Sequence, residues 1–428
     1  MRLPDGPHRH RRRSWIRSSL AGTAVAAGLT APMAASAPAA AAPLQEFAYV
    51  ANRGSGTVSV INTATNTVTA TIGIGAGAFP ENLATMADGT RVYVANAASG
   101  TVSVIDTATN TVTATIPVGR FPGDLAITPD SARVYVSNHD SDTVSAINTT
   151  TNTVTATIRV GDSPQDLAIT PDGTRLYIAN AFSDTVSAIN TATNTVTATI
   201  PVGDFPKGMA ITPDGTRLYV TNLTSDTVSA INTATNTVTA TIRVGDLPKN
   251  MAITPDGTRL YIANAFSDTV SAINTTTNTV TATIKVGDSP ESVAITPGGT
   301  RVYVTNLNSD TVSAINTTTN TVTATIRVGD FPQDLAITPD DTRAYVTNLN
   351  SDTVSAINTA TNTVTATIPA GGSDPAGVAI THVGILLPPR PVVRNNNNNN
   401  NKKIRGVRDV GTKGDGKHRR STSKRCGR

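Results

Sequence analysis

The chain of 428 residues contains one cysteine, one tryptophan and five histidines, and only 4% of it is aromatic. A single cysteine excludes a disulfide framework and any cysteine-ligated zinc or iron–sulfur centre, and the few histidines leave little for a histidine metal centre. Residues 1–42 hold six arginines against one acid, and residues 390–428 hold thirteen lysines and arginines against two aspartates. This leaves 15 basic and 27 acidic residues in between, a net charge of −12. The overall charge of +4 therefore belongs to the tails, and no specific nucleic-acid binding is expected of the folded part.

At the N-terminus, Arg9, Arg11, Arg12, Arg13 and Arg17 precede a weakly apolar stretch from Leu20 to Ala35. Ala39-Ala40-Ala41 then supplies an A-x-A cleavage site, so residues 1–42 read as an export signal. Arg12-Arg13-Ser14-Trp15-Ile16-Arg17 fits a twin-arginine pattern, and an ordinary secretory signal fits nearly as well. No other segment reaches the ~20 apolar residues of a membrane span. The mature protein is expected outside the cell or at its surface, with no span.

The eight tyrosines, from Tyr49 to Tyr345, are spaced 44 residues once and 42 residues six times. Each is one position of a repeating unit, and a period of this size predicts a propeller or a solenoid rather than several domains. In the copy from Asp166 to Gly203, four strands are predicted. Leu167–Thr170 ends at the Pro171-Asp172-Gly173 turn, where glycine meets the need for positive φ. Arg175–Ala179 ends at Asn180, and Thr185–Ile189 ends at Asn190-Thr191. Thr195–Ile200 alternates, with Val196, Ala198 and Ile200 on one face and threonines on the other. Four strands in a unit of about 42 residues make one propeller blade. Ala168, Ala179 and Ala188 suit crowded inner strands. A β-helix would lack the Asp-Gly hairpin turns.

The chain enters the repeat at Glu46-Phe47-Ala48-Tyr49, the second strand of a blade. After the last outer strand near Ile368, Gly377–Thr381 reads as an inner strand without a blade. That strand is expected to complete the first blade and remove two open sheet edges. The prediction is an all-β fold: an eight-bladed β-propeller of four-stranded antiparallel blades over residues 43–387, closed by its C-terminal inner strand.

Tyr219-Val220-Thr221-Asn222, Tyr303-Val304-Thr305-Asn306 and Tyr345-Val346-Thr347-Asn348 carry a resemblance to the YVTN-repeat family of β-propellers. Tyr-Val-Ala-Asn and Tyr-Ile-Ala-Asn fill most other copies, and Ser-Asp-Thr-Val-Ser, Ile-Asn-Thr and Val-Gly-x-x-Pro accompany them. The resemblance covers about residues 46–382. It implies an exported or cell-surface protein of the surface-layer or adhesion type, with lactonase-like and quinoprotein-like enzymes among more distant relatives. Seven blades, the commoner number in such relatives, is the alternative count.

Internal copies can be compared with one another. The turns Thr-Pro-Asp-Gly-Thr-Arg and Asn-Thr-Ala-Thr-Asn-Thr barely change, whereas the blade linkers and the hairpin after the motif asparagine do. Strand order places the two invariant turns on one face and the variable loops on the other. Drift in exposed loops is the bland explanation, but drift would have marked both faces. The variable face is therefore expected to bind a protein or a cell-wall polymer. The candidate residues are Phe121, Asp124, His139, Phe182, Phe205, Lys207, Lys249, Phe266 and Phe331, since exposed aromatics commonly dominate an interface.

The recurrent aspartates, Asp162 to Asp330 after glycine and Asp142 to Asp352 after serine, suggest a calcium ring. One per blade does not converge as calcium ligands must, so they read as turn formers. Arg175, Arg217, Arg259 and Arg301 are expected to pair with acids of the facing turn. Catalysis finds little support: His139 and His382 are the histidines of the propeller and read as surface residues, Trp15 lies in the leader, and no blade gains a cluster of acids. No catalytic residue, metal or cofactor is expected, and the protein should be a monomer. Residues 388–428, with seven consecutive asparagines and a Lys/Arg/Gly-rich end, read as a disordered basic tail.

Overall fold

Segments between turns are rich in threonine, valine and isoleucine, most of all in the outer strand of each blade. Their branched Cβ atoms favour extended backbone, where they pack on a pleated surface. In the computed structural model, which describes residues 45–383, these segments form eight four-stranded antiparallel sheets arranged as a ring. The expected signal peptide at 1–42 and basic tail at 388–428 lie outside the described residues. No described helix is long and apolar enough to cross a membrane.

Blade 4 is representative. From the axis outward it comprises β12 (Pro164–Ile169), β13 (Arg175–Asn180), β14 (Thr185–Asn190) and β15 (Thr195–Pro201). The inner strand starts three residues before the predicted Leu167, and its pairing jumps from Pro164↔Asn180 to Leu167↔Ile178. Gln165 and Asp166 sit in that jump, and a bulge of this kind re-aims side chains. The outer strand is wetter than its alternation suggests, with Val196 exposed and only Ile200 buried.

The ring closes as expected. β1 (Gln45–Asn52) pairs on one side with β2 (Thr57–Asn62), which carries β3 (Thr67–Gly73), and on the other with β32 (Pro375–Val383). The remaining inner strands are β4 (Pro80–Thr85), β8 (Pro122–Ile127), β16 (Pro206–Ile211), β20 (Pro248–Ile253), β24 (Pro290–Ile295) and β28 (Pro332–Ile337). There are eight blades, not seven.

Each repeat tyrosine is wholly buried between blades. Tyr177 donates its hydroxyl to the Thr233 carbonyl at 3.2 Å and to Asn236 Oδ1 at 2.9 Å, both in the outer turn of the next blade. Tyr345 makes the same bonds to Thr63 and Asn66 across the closing seam. Burial pushes the Tyr303 hydroxyl up to about 12, so it stays protonated as a donor. Tyr93 alone does not reach the asparagine of the next blade's turn, Asn152.

The repeated arginines overturn an expectation. Arg175 and Arg217 donate to the carbonyls of Thr233 and Thr275 in the next blade, and no ion pair forms at Arg175, Arg217, Arg259 or Arg301. The facing turn offers main-chain oxygens at the spot where an acid was expected. The motif asparagines explain the glycine of the recurrent Val-Gly: Asn138 fills its pocket so closely that a Cβ on Gly119 would come within 2.6 Å of it.

Candidate functional site

The connections from strand two to strand three and from blade to blade lie on one face, around the mouth of the central channel. There the residue before each inner-strand proline has a left-handed backbone, with φ between 52° and 59° at Phe79, Phe121, Ser163, Phe205, Leu247, Ser289, Phe331 and Asp374. Such a conformation is costly for residues with a Cβ and must be held by its surroundings. The Ser-Asp aspartates hold it: Asp142, Asp184, Asp226, Asp268, Asp310 and Asp352 each accept the backbone N–H of that residue in the following linker at 2.8–3.0 Å. The aspartates after glycine place their own N–H groups on the serine of the next hairpin, as Asp204 does on Ser225 at 2.7 Å. Both sets organise loops.

One or both of the residues after each proline line a polar cavity of about 370 Å³ at the channel mouth. Its acidic arc is Glu81, Asp124 and Asp166 from blades 2, 3 and 4, with His139 beside it. Asp124 accepts the Leu167 N–H at 3.1 Å and Asp166 accepts the Met209 N–H at 2.6 Å, so each carboxylate bridges to the next inner strand. Burial, then the charge of Asp166 and a hydrogen bond with it, push Asp124 well above the usual carboxylate range. Burial raises Asp166 as well. Burial also raises Asp334, which accepts from Val378 N–H at 3.1 Å and Ser292 Oγ at 2.9 Å.

Burial lowers the His139 imidazole below its ordinary value despite the nearby acids Glu81, Asp140 and Asp124. This histidine lines the cavity instead of lying on the open surface, because Gly123 makes room for it: a Cβ there would collide with the ring. Blade 3 is thus a matched pair of departures from the repeat. Across the cavity, Glu291 is buried and receives Lys207 at 3.6 Å and also Lys249, while Arg53 meets Glu81 at 2.8 Å. The side-chain amides of Asn82, Asn250 and Gln333 line the same space, half-buried, and bond to no other protein group among the described residues.

Of the residues singled out from sequence, Asp124, His139 and Lys207 line the cavity, and Lys249 reaches it through Glu291. The phenylalanines form a rim. Phe182 and Phe266 are 69% and 76% exposed. Phe182 meets Phe205 edge-on with ring centres 5.6 Å apart, and Phe121 lies 5.7 Å from His139. Phe205 and Phe331 are half-buried, so they are not the freely exposed aromatics that their sequence position suggested. The cavity residues missed include Arg53, Glu81, Asp166, Glu291, Gln333 and Asp334. Most occupy the two variable positions after proline, and that was the signal available. Three aspartates and glutamates from successive blades do gather here, although no single blade contains a cluster. Among the described residues, no three His, Cys, Asp or Glu side chains are placed to hold a metal ion.

Among solved structures, the fold is similar to Kuenenia stuttgartiensis hydrazine synthase (23% identity, TM-score 0.56, 66% of this chain and 96% of that one). It is also similar to the dihydro-heme d1 dehydrogenase NirN in complex with DHE (15%, 0.69, 78% and 74%). A third likeness is to apo AztD from Citrobacter koseri (13%, 0.62, 80% and 99%). At these identities the likeness is one of fold. No curated protein matches the sequence significantly. Four successive matches to the YNCE-like beta-propeller description span residues 14–131, 123–215, 208–300 and 289–381, and the chain belongs to that family.

Proposed function

We propose that this is an exported surface protein of the YVTN-repeat kind that holds a partner through the channel mouth and its phenylalanine rim, without catalysis. The observation that carries this reading is a coincidence of position. The face on which the copies diverge is the face that carries the cavity and the exposed Phe182 and Phe266. Exposed phenylalanines cost solubility, and the repeat does not require them, because the position holds Thr224 and Asn308 in other blades.

Co-sedimentation of purified mature protein with isolated cell walls tests it. Phe182→Thr with Phe266→Thr should lower the bound fraction about tenfold and leave the melting temperature nearly unchanged. Ala192→Thr with Ala234→Thr, exchanges the repeat already makes on the other face, should do neither. Wall binding that ignores the rim, or no wall binding, removes the reading.

A further inference from the structure

We infer that the group seated in the channel mouth is the neutral, hydroxyl-rich end of a glycan chain. This rests on the reading proposed above and names the chemistry of its partner.

The first observation is the absence of an apolar floor. Among the residues lining the cavity, the largest purely apolar side chain is that of Ala376. A protein partner anchors its binding by burying aromatic or aliphatic side chains in pockets, and this cavity has no surface to receive one. A ligand that fits must bury hydrogen-bonding groups on all sides.

The second is unused hydrogen-bonding capacity. The amides of Asn82, Asn250 and Gln333 come from three separate blades and have no protein partner. Each offers two donors and an acceptor. These half-buried amides open on the cavity, where a group supplying both donors and acceptors can take the place of solvating water. Hydroxyls do so, and neighbouring hydroxyls on one ring can engage an amide's oxygen and nitrogen together.

Charge is the third. The ion-paired groups at the mouth already face opposite charge: Arg53 meets Glu81, and Lys207 and Lys249 both meet the single carboxylate of Glu291. Asp124 and Asp166 are hydrogen-bonded to each other, and Asp334 is held by Ser292 and a main-chain N–H. A charged ligand would compete with these contacts, while a neutral one leaves them intact.

The rim supplies the rest. Phe182 and Phe205 stand edge to face, with Phe266 exposed at the matching hairpin of blade 6. Their faces suit the C–H surfaces of sugar rings further along the chain, which stack on aromatic rings as other flat apolar surfaces do. A cavity of about 370 Å³ is at the small end of ligand sites and takes the end of a chain, with the remainder lying over the rim.

Titration calorimetry of the full mature protein with neutral oligosaccharides is the test, using N-acetylglucosamine and glucose oligomers, with a neutral hexapeptide as control. The variant is Asn82→Ser, Asn250→Ser and Gln333→Ala, which places residues the repeat already carries at those positions, as Ser292 and Ala376 show. At least one oligosaccharide should saturate the protein, and its affinity should be nearly constant between about 0.05 and 0.5 M NaCl. The triple variant should bind about tenfold more weakly while melting as the parent does, and the bound oligosaccharide should displace the protein from walls. Three results would overturn the inference: no oligosaccharide binding, unchanged binding by the variant, or an affinity that collapses with salt. If walls still retain the protein through its rim in those cases, the mouth-face reading stands and only the glycan assignment falls. Loss of wall binding as well removes both.

Discussion

The two faces of the ring are built by the same repeat, yet one is nearly constant and the other varies from blade to blade. On the turn face, blades are tied by side chains: the tyrosine hydroxyl and the arginine guanidinium reach the next blade's outer turn. On the mouth face, the residue before each proline is tied only through its main chain. The Ser-Asp carboxylate accepts its backbone N–H, and its carbonyl accepts a hairpin N–H, as Phe205 does from Leu223 at 3.0 Å. A tie to the main chain fixes the backbone but not the side chain beside it. The two residues after each proline are therefore free to differ, and it is they that line the cavity.

The contrast can be broken most severely at the closing seam. Removing residues 375–383 deletes β32, bares one edge of β1 and eliminates the only inner strand of blade 1. The shortened protein should aggregate or lose its cooperative melt, read by size-exclusion chromatography and circular dichroism. A melt like that of the intact protein would mean the ring does not depend on this strand.

A smaller effect compares the faces directly. Tyr177→Phe strands Asn236 Oδ1 and leaves the Thr233 carbonyl to Arg175 alone, which costs about 1–2 kcal/mol and should lower the melting temperature by roughly 2–6 °C. Phe182→Thr on the mouth face should shift it by less than about 2 °C. Equal shifts would show that the rim phenylalanines are part of the packing.

The smallest effect concerns pH. Because Asp124 holds its proton well above the usual carboxylate range, the stabilisation from that proton is full below about pH 4 and is lost as pH rises through the raised value. Asp124→Asn can still accept the Leu167 N–H and never carries the charge. It should melt with the parent at pH 4 and about 2 °C above it at pH 8. Parallel melting curves from pH 4 to 8 would show that Asp124 ionises as an ordinary carboxylate.

Tyrosine spacing made the blades countable, and the half-blade entry at Glu46 made the closure readable, because both follow from period alone. The early start of β12 was hidden, since Ser163 takes a left-handed conformation that nothing in serine announces. Arg175 was assigned an acid because acids can be seen in a sequence, whereas its actual partner is a carbonyl, which every residue has. The variable face was legible, but its cavity was not. Asp124 and Asp166 lie 42 positions apart and meet only because consecutive inner strands converge on one axis.

The pairing of β1 with β32 has an architectural consequence. Gln45 and Val383 are register partners, and both lie at the end of blade 1 remote from Arg53 and the cavity. The chain thus enters and leaves the propeller side by side through its back. A tether, a reporter protein or a second ring joined directly at Gln45 or Val383 would start behind the molecule, on the side away from the mouth.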